Sequence, residues 1–172
     1  HSITLKRAGA IYGIPEEIIV AIIGVETEYG RNTGRFGVMQ ALSTLAFRYP
    51  PRAPYFRGEL EQFLLLAREN GYDPMLLKGS YAGAIGIPQF MPGSQRHYAV
   101  DFDGDGRIDL TGSAADAIGS VARFLAMHGW ETGADIAVPA RVGTDPAPLI
   151  EAGIRPVRPL AELVSKGVEA RG

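Results

Sequence analysis

The stretch Asp101-Phe102-Asp103-Gly104-Asp105-Gly106-Arg107-Ile108-Asp109 limits this chain more than any other. Its alternating carboxylates repel one another unless something neutralises them. Alternate residues converge on one point when the chain turns sharply, and Gly106 permits such a turn. Hard carboxylate oxygens gathered this way suit a hard cation such as Ca²⁺. The segment is therefore read as a loop, pinned just before the helix that starts near Ser113.

Acids at loop positions one, three and five, glycine at six and an aliphatic at eight match the front of an EF-hand loop. The back departs from that pattern, because position twelve is Gly112 and not a bidentate Glu. Asp116, in the first turn of the next helix, or Asp109 must close the site. Asp116 is also spaced from Ser113 like a capping box. The expected metal set is Asp101, Asp103, Asp105, the backbone carbonyl of Arg107, and Asp116. A single such loop points to structural Ca²⁺ and not to a calcium sensor.

Composition narrows the function. The 172 residues include 17 basic and 19 acidic side chains, for a formal net charge of −2. A nucleic-acid surface needs a basic excess, so nucleic acid is excluded as a partner and a neutral polymer is admitted. There is no cysteine, which removes disulfides and thiolate metal sites. The longest apolar run, Ile18 to Val25, falls far short of the roughly 20 residues that span a bilayer. The chain opens at His1-Ser2 without an initiator Met, as a fragment or processed form would.

Helices are expected from Pro15-Glu16-Glu17 through Tyr29, from Gln40 to just before Tyr49, from Glu59 to Glu69, and from Ser113 to His128. Tyr81 to Ser94, rich in Gly and Pro, reads as a shaped loop with short helical turns. Beyond Trp130, Ile136 to Val142 and Ile154 to Val157 read as strands, and Leu160 to Val164 as a short helix. The fold class is mainly α (α+β). Residues 1–130 form a helical core that includes the calcium loop 101–116. Residues 131–172 form a small β-containing unit, read as truncated.

On the first long helix, Ile19, Ile22, Ile23 and Glu26 share one face at spacings of three and four. Glu26 should sit at the edge of a buried surface, while Glu28, about 200° further round, faces water. A carboxyl at an apolar edge loses solvation of its charged form, which favours a neutral acid able to protonate a leaving oxygen. The ordinary alternative is a glutamate salt-bridged at a helix end.

These features occur together with Gly24-Val25-Glu26-Thr27-Glu28-Tyr29-Gly30, Ala41-Leu42-Ser43-Thr44-Leu45, Tyr55-Phe56-Arg57-Gly58-Glu59-Leu60, the Ser80 to Ser94 loop and Asp116-Ala117-Ile118-Gly119-Ser120-Val121. In this order they resemble the membrane-bound lytic transglycosylase B family. The resemblance implies a lysozyme-like core with a sugar cleft. It implies non-hydrolytic cleavage of peptidoglycan between N-acetylmuramic acid and N-acetylglucosamine, giving a 1,6-anhydro product. Glu26 takes the position of the family's single catalytic glutamate, acid first and base second.

By the same resemblance Ser80, Gln89 and Phe90 correspond to residues that contact the sugar. Arg52 lies where the family carries basic residues and would meet a lactyl or peptide carboxylate. The family implies peptidoglycan glycan strands as partner, the periplasm or cell envelope of a Gram-negative bacterium as location, no organic cofactor, and a monomer. Two other readings stand beside it. One is a muramidase that uses water on the same fold, and the other a calcium-stabilised wall-binding protein without turnover.

Overall fold

The computed structural model describes residues 1–143, 145–150 and 158–170. They fall into two compact units, His1–Thr132 and Gly133–Gly172. In the first, α1 (Ser2–Tyr12) and α2 (Glu16–Thr27) are followed by a two-residue strand β1 (Phe36–Gly37), α3 (Val38–Arg48) and α4 (Ala53–Asn70). Then come β2 (Lys78–Gly79), α5 (Pro92–Tyr98) and α6 (Ala114–Met127). Strand β1 pairs antiparallel with β2, placing Phe36 opposite Gly79.

Three apolar clusters build this unit, the smallest being Phe90, Ala99 and Leu110. Ala8, Ile14, Ile19, Ile23, Phe102, Ile118, Val121 and Ala122 join α1, α2 and α6. Val38, Leu42, Ala46, Phe56, Phe63, Leu66 and Ile85 join α3 and α4. The loop after β2 reaches these two larger ones: Ile85 belongs to the second cluster, and Ile87 packs on the first. Gly119 interrupts α6 at a cost of about 1 kcal/mol relative to Ala, but it lets the Phe102 ring lie against the helix backbone, where any Cβ would collide with it. The acidic loop is thereby anchored at its start through Phe102.

Several expected boundaries move. α1 carries no side-chain cap and no acidic first turn, so nothing in its sequence announced it. α4 starts six residues before Glu59, at Ala53. Pro54 lies in its first turn, where a missing N–H costs nothing. α2 stops at Thr27 because Glu28 and Tyr29 are left-handed, at φ 52° and 61°, ahead of Gly30.

In the second unit, β3 (Ala140–Val142) pairs antiparallel with β4 (Val168–Ala170). Between them lie α7 (Ala147–Ile150) and α8 (Leu160–Ser165). The expected strand from Ile136 shrinks to its last three residues. The expected strand Ile154 to Val157 lies outside the described residues. No single described helix is long and apolar enough to cross a membrane.

Candidate active site and metal loop

The end of α2 opens onto a cavity of about 550 Å³ lined by Glu26, Arg31, Asn32, Thr33, Gly34, Arg35, Phe36, Ser80, Tyr81 and Gln89. A space of roughly 300–1,000 Å³ is typical for small-molecule sites. Two chain segments form it, the stretch after α2 and the loop after β2. Their junction is held at several points. Thr27, 1% exposed, donates its hydroxyl to the Ile87 carbonyl at 2.8 Å and accepts the Gly30 N–H at 3.0 Å. Gln89 donates its amide to the Thr33 carbonyl at 3.1 Å and to the Gly86 carbonyl at 2.9 Å. Gly34, at φ 95°, passes so close to Gly79 that a Cβ would strike the Gly79 carbonyl.

Glu26 is exposed, not desolvated by the helix face as its spacing suggested. The buried stripe of α2 is Ile19, Ile23 and Thr27, which turns Glu26 to the rim. Its side chain forms no ion pair or hydrogen bond with another described residue, so the salt-bridged alternative is not what the structure contains. Among the residues lining the cavity it is the one carboxylate. Ser80 accepts the N–H groups of Ala82 and Ala84 at 3.2 and 3.0 Å. Its hydroxyl proton remains free to donate into the cavity.

Phe90, expected against the sugar, and Arg52, expected against a lactyl or peptide carboxylate, do not line the cavity. Phe90 is 8% exposed and packs with Ala99 and Leu110, its ring 5.3 Å from that of Phe124. The pairing of Ile85 with Phe90 turns the Phe90 side chain inward while Gln89, left-handed at φ 52°, faces the cavity. Arg52 ends a single 3-10 turn, its guanidinium 4.6 Å from the Tyr55 ring centroid, and it is not on the cavity wall. Arg31, Arg35, Phe36 and Tyr81 line the wall and were not singled out in the sequence. The segment of Arg31 to Phe36 has no periodicity to read, and nearness to Glu26 in the chain was its one available clue, while Tyr81 follows Ser80 in the loop already singled out.

In the acidic loop, Asp101, Asp103 and Asp116 each offer one carboxylate oxygen, all within 4.8 Å of one another. Asp101 accepts the N–H groups of Gly104 at 2.7 Å and Gly106 at 2.8 Å. Those bonds, led by the one from Gly106, hold its carboxyl below the usual range. Buried Asp116 accepts the N–H groups of Phe102 at 2.7 Å and Asp109 at 2.8 Å, so it spans the loop from both ends. Ser113 caps α6 by accepting the Asp116 N–H and donates its own hydroxyl to Asp103 at 2.6 Å. Asp109 instead accepts the N–H groups of Thr111 and Gly112. Asp105 stays outside the group of three carboxylates, and one of its two oxygens accepts the N–H of exposed Arg107 at 2.8 Å.

Residues 1–172 match the family described as Transglycosylase SLT domain. The chain belongs to this family. It is 51% identical over 164 residues to the membrane-bound lytic murein transglycosylase B of Escherichia coli (strain K12), covering 95% of this chain and 44% of that one. The catenated lytic transglycosylase SltB1 of Pseudomonas aeruginosa superposes with a TM-score of 0.90 at 54% identity, over 100% of this chain and 57% of that one. The E. coli lytic transglycosylase Slt35 in complex with calcium superposes with a TM-score of 0.82 at 46% identity, over 99% and 54%. SltB3 of P. aeruginosa in complex with NAG-NAM-pentapeptide does so at 0.79 and 35%, over 98% and 45%. The chain thus spans about half the length of the relatives it matches. The fold class read from the sequence, a mainly α lysozyme-like core with a small β part, is borne out.

Proposed function

We propose that this chain carries the catalytic core of a peptidoglycan lytic transglycosylase, with Glu26 as its acid and base. One observation carries the reading. Glu26 is the single carboxylate among the residues lining the cavity, at the mouth of a site shared with Ser80 and Gln89. A retaining hydrolase of the lysozyme kind needs a second carboxylate about 5 Å away.

A single carboxylate suffices for the lytic reaction. Glu26 donates its proton to the glycosidic oxygen as the bond from the muramic acid C1 breaks. The leaving N-acetylglucosamine departs with a free 4-hydroxyl. The muramic acid 6-hydroxyl then attacks C1 and returns its proton to Glu26, closing the 1,6-anhydro ring with no water consumed. The substrate's acetamido group stabilises the positive charge at C1 in between, as in substrate-assisted glycosidases. Because Glu26 is exposed before substrate arrives, the sugar that fills the cavity must itself exclude water around the acid. Ser80 donates its hydroxyl, and Gln89 presents its amide oxygen, to the sugar's hydroxyl and acetamido groups.

Ca²⁺ fits the acidic loop. Asp101, Asp103 and Asp116 are the ligands the geometry supports, with Asp105 and the Arg107 carbonyl completing the shell in the EF-hand manner. The ion is structural, tying the loop to the start of α6. The protein works as a monomer in the cell envelope. The test is mass spectrometry of digested peptidoglycan: anhydro products lighter by one water are expected, and reducing-end products would establish a hydrolase instead. Glu26→Gln should abolish both products.

A further inference from the structure

The cavity wall is basic in an acidic chain. Arg31 and Arg35 both line it, opposed by Glu26 alone, whereas the whole chain has a formal net charge of −2. Both arginines are exposed, and neither forms an ion pair or hydrogen bond with another described residue. The one contact of the Arg35 guanidinium is at 5.9 Å from the Phe36 ring centroid.

The backbone that carries them is held, not loose. The Asn32 N–H donates to the Thr27 carbonyl at 2.9 Å, the Thr33 carbonyl accepts from Gln89, Gly34 lies against Gly79, and Phe36 is in register with Gly79. Two unpaired guanidinium groups are thus carried by a held backbone on one wall of a site whose other groups suit a neutral sugar. A guanidinium is matched to carboxylate by its planar fork of donors. The glycan backbone offers hydroxyl and acetamido groups but no charge, so the carboxylates must come from what the muramic acid carries.

We infer that Arg31 and Arg35 select the substrate by pairing with carboxylates of the stem peptide. This rests on the peptidoglycan reading above. Two guanidinium groups suit two carboxylates along a peptide better than the one lactyl carboxylate of a peptide-free muramic acid. The relative solved with NAG-NAM-pentapeptide accommodates a substrate of this class.

The test is calorimetric binding to the full-length protein carrying Glu26→Gln, which holds substrate without turning it over. The ligands are a tetrasaccharide bearing pentapeptides and the same tetrasaccharide with its peptides removed. Adding Arg31→Gln and Arg35→Gln together should weaken binding of the peptide-bearing ligand about tenfold or more, as expected for losing charge-assisted contacts. The preference for that ligand over the bare one should collapse. Arg31→Lys with Arg35→Lys should restore part of the preference, because charge remains while the fork is lost. A loss confined to the bare ligand would assign the arginines to the lactyl carboxylate and overturn the inference. So would equal losses on both ligands, or no loss on either. If the Glu26→Gln protein with both arginines intact binds neither ligand, the peptidoglycan reading itself fails.

Discussion

Thr27→Val removes one oxygen from the joint that holds the cavity together. Valine matches threonine in shape, so packing around this buried position is kept. The Ile87 carbonyl loses a donor at 2.8 Å and the Gly30 N–H loses an acceptor at 3.0 Å. A group left unsatisfied in the interior costs about 1–3 kcal/mol. Ile87 and Gly30 are half-buried, so water reaches them in part, and the low end applies to each. The sum is about 2 kcal/mol. For a folding unit near 130 residues this lowers the melting midpoint by roughly 6–8 °C. Activity should fall further than stability, because Thr27 fixes the end of α2, and so Glu26, against the loop that carries Ser80 and Gln89. A misplacement of about 1 Å can cost on the order of a hundredfold in rate. Urea denaturation and turnover of peptidoglycan strands, each with Thr27→Ser as the control that keeps the hydroxyl, provide the measurements. A Thr27→Val protein within 0.5 kcal/mol of the unsubstituted one, and equally active, would refute the idea that this hydroxyl aligns the two segments.

Other outcomes follow from the same geometry. Calcium at a hundred times its dissociation constant should stabilise the protein by about 2.7 kcal/mol, read as a rise in thermal midpoint, and Asp116→Asn should remove that rise. Gly34→Ala should destabilise by about 3 kcal/mol or more, combining a left-handed backbone at a Cβ-bearing residue with a collision against the Gly79 carbonyl; a urea titration measures it. The Arg96 hydrogen bond holds the Glu69 carboxyl below its ordinary range. A depressed carboxylate contributes stability that is complete above its unfolded value, about pH 4.3, and is lost as pH falls through the lower folded value. Glu69→Gln should therefore lower stability slightly at neutral pH and leave it nearly unchanged at low pH, which flattens the acid limb of the stability profile.

The acidic loop was readable because its chemistry is local. Asp101, Asp103 and Asp116 lie close together in the chain, their hydrogen bonds run to nearby N–H groups, and Ser113 caps the helix that supplies Asp116. The helices were readable where apolar spacing and caps agree, as in α6, and less so in α1, which has neither.

Other features needed the folded chain. Periodicity placed Glu26 beside an apolar face but could not choose between a stripe through Ile22 and one through Thr27. That choice belongs to Ile87, which takes the Thr27 hydroxyl from sixty residues away. Phe90 and Gln89 are neighbours in one loop, yet one is core and the other lines the cavity, because the bridge to Ile85 turns Phe90 inward while the Gln89 amide reaches the Thr33 carbonyl. Arg31 and Arg35 became wall residues only when β1 paired with β2 and brought Ser80 and Gln89 across from them. Residue types and short-range spacing carry local chemistry such as a cation loop or a helix cap. A cavity is made by contacts between distant segments, and which side chains face it is decided by hydrogen bonds and close approaches that no short stretch of chain contains.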